Sequence, residues 1–275
     1  MIKRAWLGVL AVIVAAVAAS AMAVPAPQTK ILSLDLAKPF RTRSPWTLTA
    51  TQGPKIPGPT GGMPGDMVDG VITFCLNRDA GRTCDPIFTD VYTKPDGGDD
   101  FDGPYLPPHG LQRAAVLRLP GTPGRPLLLV TTASALSIDG SARVVTQVLL
   151  YNAAADRFTL AYQHVTGRNH NEDLRYMTHG PLGGTIITAE LTQNAPYCFW
   201  IEVDRLGKGD RFEQVYRYRS ATHYGDGNPL SPIDSEMPNL EQRMRLWHPG
   251  QALPLPPVPC AKPHLVKQEM WCQYA

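Results

Sequence analysis

The chain has 275 residues, 27 of them proline and 24 glycine, with 26 Lys and Arg against 24 Asp and Glu. That length is large for one domain but ordinary for an all-β one, and the dense Pro and Gly punctuation leaves little room for long helices. Near-neutral charge without a basic block argues against nucleic acid or an anionic membrane surface as partner, because both are held through clustered Lys and Arg.

The N-terminus reads as an export signal. Lys3 and Arg4 precede the apolar stretch AWLGVLAVIVAAVAASAMA, which closes on Ala21-Met22-Ala23, a small-x-small cleavage pattern. The expectation is a signal peptide over 1–23 and a mature chain in the periplasm or outside the cell. Removing Lys3 and Arg4 leaves 24 basic residues against 24 acidic ones. The alternative is an uncleaved anchor, since the stretch nearly reaches the ~20 residues a span needs. No later run is long enough to cross a membrane.

An exported chain can hold disulfides. Cys75 and Cys84 flank LNRDAGRT, a hairpin turn between VITFC and CDPIFTDVY, and opposed strand positions lie within disulfide reach. Cys260 and Cys272 bracket the end of the Pro-rich tail, residues 249–275, where a bridge would pin an otherwise loose segment. Cys198 is left over as a buried thiol in a strand.

Residues 24–248 read as one domain of short strands. WTLTATQ from Trp46 and VITFCLN from Val71 begin it. LQRAAVLRL from Leu111 and LLLVTTAS from Leu127 are paralleled later by DLRYMTHG from Asp173 and TIITAEL from Thr185. Two further stretches match more closely. VLLYNAAADRFTLAYQHV from Val148 and IEVDRLGKGDRFEQVYRYRS from Ile201 both carry Asp-Arg-Phe, with a tyrosine four residues after the phenylalanine. Asp156, Phe158 and Tyr162 thereby match Asp210, Phe212 and Tyr216. Strand alternation predicts one shared face for Phe158, Leu160, Tyr162 and His164, and one for Phe212, Gln214, Tyr216 and Tyr218, with Arg217 and Arg219 opposite. Each repeated Asp closes the last hairpin of its unit, where its side chain is expected to bond the turn's backbone.

Four short strands per unit and a period of about 50 residues resemble β-propeller blades, over about Leu111 to Thr222 with a looser extension back to Trp46. The chain lacks the Trp-Asp ending of one propeller class and the paired glycines of another. The alternative all-β architecture is a two-sheet sandwich. After the strands, DSEMPNLEQRMRLW predicts a short helix near 235–247, with Asp234 or Ser235 as N-cap, Pro238 in an early turn, and Leu240, Met244 and Trp247 at helical spacing.

No Gly-x-Ser-x-Gly elbow, His-Glu-x-x-His, phosphate-binding loop, dinucleotide fingerprint or Cys-x-x-Cys is present. What remains is positional. The propeller resemblance implies that loops joining successive units gather at one end, where function usually sits. Those loops hold Asp96, Asp99, Asp100 and Asp102, candidate ligands for a divalent cation, calcium before zinc. They also hold His170, His223 and Asp226 as acid–base candidates, alongside His109, Asn169, Glu172, Asp173, Asp234 and Glu236. Asp, Asn and Gly are equally the ordinary chemistry of turns. The expectation is an exported, non-enzymatic binding or structural module with a protein or carbohydrate partner. The alternative is a metal-assisted hydrolase whose site lies in the inter-unit loops.

Overall fold

The computed structural model describes residues 28–58, 67–79, 83–88, 107–120, 124–135, 142–167 and 172–273. The expected signal segment, the Asp96–Asp102 run, Asn169 and His170 lie outside them. Almost all regular structure is antiparallel strand. The first sheet holds β1 (Thr29–Asp35), β2 (Thr47–Gln52) and β5 (Ile72–Asn77). A single turn, α1 (Ala37–Phe40), links β1 to β2, and a ribbon of β3 (Ile56–Pro57) and β4 (Met67–Val68) links β2 to β5. The second sheet is a meander of β6 (Gly110–Arg118), β7 (Pro126–Ala133), β8 (Val144–Asn152) and β9 (Arg157–Thr166). The third is a meander of β10 (Asp173–Tyr176), β11 (Thr185–Leu191), β12 (Cys198–Leu206) and β13 (Phe212–His223). The four-stranded unit read from the sequence therefore occurs twice. Among the described residues the sheets close into neither a barrel nor a propeller.

The sheets stack face to face, and apolar runs without alternation make this possible. Leu127, Leu128, Leu129 and Val130 are all buried, because β7 lies between two cores. Leu128 and Val130 join Leu48, Leu76, Leu149 and Phe158 between the first and second sheets. Leu127 and Leu129 join Val148, Leu150, Tyr176 and Ile186 between the second and third. Each such side chain contributes about 2 kcal/mol relative to its exposed state.

The helix α2 (Pro232–Arg243) covers the outer face of the third sheet. Ile233, Met237 and Leu240 pack there against Ile187, Phe199, Ile201 and Val203. Its start lies earlier than the sequence suggests. Ser231 is the N-cap and Pro232 occupies the first turn, where a missing N–H is harmless, so Pro238 falls inside the helix rather than in an early turn. The opposite face of α2 is buried too, beneath a hairpin of β14 (Ala261–Val266) and β15 (Glu269–Gln273). The Cys260–Cys272 disulfide ties that hairpin as expected, and the tail it pins is a folded cover. Cys75–Cys84 ties the first sheet, and Cys198 is free and buried.

Both expectations about the doubled motif are corrected. A bulge interrupts the register between Val148 and Leu149 opposite β9, and another between Val203 and Asp204 opposite β13. An extra residue in one strand reverses which face its later residues meet. Phe158 accordingly packs in the core toward the first sheet and Tyr162 in the core toward the third. Likewise Phe212 faces the second sheet while Tyr216 and Tyr218 face α2. In each unit the phenylalanine looks back and the tyrosine looks forward.

The repeated aspartates also look back. Asp156 and Asp210 both adopt positive φ, 45° and 57°, a conformation Asp tolerates better than most residues. Their carboxylates serve the preceding unit rather than their own turn. Asp156 accepts from Ser44 Oγ at 2.5 Å and Trp46 Nε1 at 3.2 Å, just before β2, as well as from its own unit's Tyr151 hydroxyl at 2.6 Å. Asp210 takes both terminal nitrogens of Arg125, just before β7. In the first unit Asp79 instead accepts from Thr83 of its own turn, at 3.1 Å from N and 2.7 Å from Oγ1.

Candidate site in the seam between the second and third sheets

The seam between the two meanders is apolar near Leu127, Leu150 and Ile186 and polar at a second level. Register fixes that level. Arg113 pairs with Thr131, Thr131 with Thr146, and Thr146 with His164, one row across all four strands of the second sheet. In the third sheet the corresponding row is Leu174, Thr188, Glu202 and Arg217. The rows belong to facing sheets, as the contact of His164 Nε2 with Glu190 Oε1 shows.

A cavity of about 280 Å³ lies at the β6 end of this seam. Leu129, Leu174 and Tyr176 give it apolar walls. Gln112, Arg113, Thr131, Thr146 and Arg175 give it polar ones. The Thr131 and Thr146 hydroxyls are 3.4 Å apart, a weak mutual bond that leaves each with spare capacity. Arg175 is committed to Asp173, Asp234 and Ser231. Arg113 is exposed and makes no ion pair or hydrogen bond among the described residues.

The other end of the seam is acidic. Burial raises the pKa of Asp204, with His164 and Tyr162 opposing. Burial likewise raises Glu202, against the pull of Arg217, whose Nε lies 2.8 Å from Glu202. Arg217 also stacks over the Trp200 ring at 4.3 Å. For His164 burial pulls downward, but Glu190, Glu202 and Asp204 together outweigh it and the net shift is upward. The Tyr162 hydroxyl is held firmly protonated, first by burial and then by Asp204 and Glu190. Its oxygen and Thr188 Oγ1 are buried without a hydrogen-bond partner of ordinary geometry. Titratable groups perturbed together in this way mark a candidate functional site.

The residues named from sequence fall elsewhere. Topology does place the start of β6, the end of β9, the start of β10 and the end of β13 at the same ends of their sheets. Yet His109 is buried, with Nδ1 2.6 Å from the Asp69 carbonyl. Glu172 accepts from the Leu191 N–H. Asp173 and Asp234 hold Arg175. Glu236 is wholly buried and accepts from the N–H groups of Ala221 and Thr222, from Thr222 Oγ1, from the Tyr218 hydroxyl and from Asn239. His223 and Asp226 share an exposed turn in which Asp226 accepts from the N–H groups of His223 and Asn228. Arg217 and Arg219 do lie opposite Tyr216 and Tyr218. Arg217 is occupied as above, and Arg219 donates to the Pro196 carbonyl at 2.9 Å. No group of three metal-ligating side chains occurs among the described residues.

Glu190, Glu202 and Asp204 had a signal: carboxylates alternating within the apolar runs TIITAEL and IEVDRL. That pattern reads as a solvated face until the next sheet is known to cover it. The chain matches no protein-family model, no curated protein and no solved structure.

Proposed function

We propose that the chain is exported and works as a non-enzymatic binding module, with the seam between its second and third blade-like units as the ligand seat. The observation that carries this reading is the row Arg113, Thr131, Thr146 and His164, whose first three members line a 280 Å³ cavity at the β6 end of the seam. Polar groups left unpaired in a core cost about 1–3 kcal/mol each. The Tyr162 and Thr188 hydroxyls thus oppose stability, and a departure from good packing of this kind belongs to sites with a task. The surrounding scaffold is tied across the seam and covered on its outer side. Asp210 and Arg125 lock the two units, and α2 beneath a disulfide-tied hairpin closes the stack. The two disulfides suit an oxidising compartment.

The test is a thermal-shift screen of the mature protein against small metabolites, repeated on Thr146→Val. A stabilising ligand whose shift vanishes in the variant supports the reading. Turnover of ester, glycoside or peptide substrates that is lost in His164→Ala would replace it with a hydrolase.

A further inference from the structure

We infer that the seam takes a small monocarboxylate with an apolar or aromatic body, its carboxylate on Arg113 and its body against Leu129, Leu174 and Tyr176. This rests on the reading of the seam as a binding site. The cavity wall has two guanidinium groups. The charge of Arg175 is already answered by Asp173 and Asp234. That of Arg113 is answered by no described residue, and a guanidinium fork matches a carboxylate with two parallel hydrogen bonds. One uncompensated cation selects a monoanion. A dianion would leave a second charge facing the acidic end of the seam, where Glu190, Glu202 and Asp204 gather. An amine would meet Arg113 and Arg175 with like charge.

Size and lining set the rest. An apolar cavity of about 150 Å³ holds one benzene, so 280 Å³ accommodates a ring with a short carboxylated arm. A sugar of similar volume would leave hydroxyls against Leu129, Leu174 and the Tyr176 ring, where nothing accepts or donates. The Thr131 and Thr146 hydroxyls, weakly bonded to each other, can turn toward a carboxylate oxygen as second donors.

Isothermal titration with phenylacetate and its uncharged analogue 2-phenylethanol tests the assignment. Phenylacetate should bind saturably, about tenfold or more tighter than 2-phenylethanol, the difference a charge-assisted pair makes at a partly exposed site. Arg113→Gln should erase that difference by weakening phenylacetate alone. Arg113 is exposed, so the substitution leaves the fold intact. Equal affinity for the two compounds, or phenylacetate binding unchanged in Arg113→Gln, overturns the ligand class. If neither compound binds while some other ligand loses its thermal shift in Thr146→Val, the monocarboxylate is wrong and the seam remains a binding site. If no ligand responds to Thr146→Val, both readings fall.

Discussion

Asp156 and Asp210 stand 54 residues apart and hold the same place in successive units, and each reaches back to the residues that open the second strand of the unit before. The Asp-Arg-Phe motif is repeated because two seams need the same fastening. Asp and Phe together grip the preceding sheet. The tyrosine four residues on lies beyond a bulge and serves the next layer.

Breaking the second fastening should reveal a modest, cooperative loss. Asp210 and Arg125 are both partly exposed, with side-chain exposures of 43% and 39%, so solvent screens the pair. A double-mutant cycle with Asp210→Asn and Arg125→Gln should give a coupling energy of about 0.5–1 kcal/mol from urea midpoints. Strict additivity would show that the contact carries no coupling.

The first fastening is more demanding. Asp156→Gly keeps the left-handed backbone but removes the acceptor of Trp46 Nε1, Ser44 and Tyr151. It should cost about 1–3 kcal/mol in chemical denaturation. Hydrogen bonds from Ser44 and then Tyr151 hold the Asp156 carboxyl down at about 2. Its stabilisation is therefore complete above the ordinary carboxylate pKa, near ~4, and is lost as pH falls toward 2. Wild type and Asp156→Asn should differ at pH 6 and converge by about pH 2. A constant gap across that range would refute the linkage.

His164 predicts the opposite slope at the other end of the scale. Its pKa is raised in the folded chain by Glu190, Glu202 and Asp204, with Tyr162 and Arg217 the other titratable groups nearby. That contribution is full below about 6.5 and declines as pH rises through the raised value. Stability curves between pH 5 and 9 should fall in wild type and flatten in His164→Gln. An imidazole titration by NMR centred at or below 6.5 would contradict the prediction.

Glu236 anchors α2 to the end of β13. Glu236→Leu leaves the N–H groups of half-buried Ala221 and buried Thr222 without their acceptor, and should cost about 3–5 kcal/mol. Glu236→Gln keeps one acceptor oxygen and should cost less. The melting temperature gives the order of the two variants. Amide exchange at Ala221 and Thr222 shows whether the loss is local.

Much of this was legible in advance, for a physical reason. Strand alternation, turn residues and cysteine spacing are local, so the four-stranded units, both disulfides and the lone Cys198 could be read from the sequence. The bulges opposite Val148 and Val203 leave no compositional mark, because an extra residue in a strand is spelled like any other. Strict counting therefore put Phe212 and Tyr216 on one face. The start of α2 was misplaced because Asp234 and Ser235 look like caps, whereas Ser231 followed by Pro232 supplies a better one. The seam escaped because its facing pairs, Arg113 with Leu174 at one end and His164 with Glu190 at the other, come together only once two sheets stack, and stacking follows from contacts far apart in sequence.

The fastening has a consequence for how such a chain could grow. The middle unit offers both a receptor before its second strand, Arg125, and an aspartate at its last hairpin, Asp156, while the described units on either side are finished differently. The first hairpin turn is self-bonded through Asp79 and Thr83, and the last sheet is roofed by α2. A second copy of residues 110–167, spliced after the first, would bring Arg125 of one copy to Asp156 of the next, a carboxylate beside a guanidinium as at the existing seam. Duplication of the middle unit would thus reuse a kind of joint the fold already has.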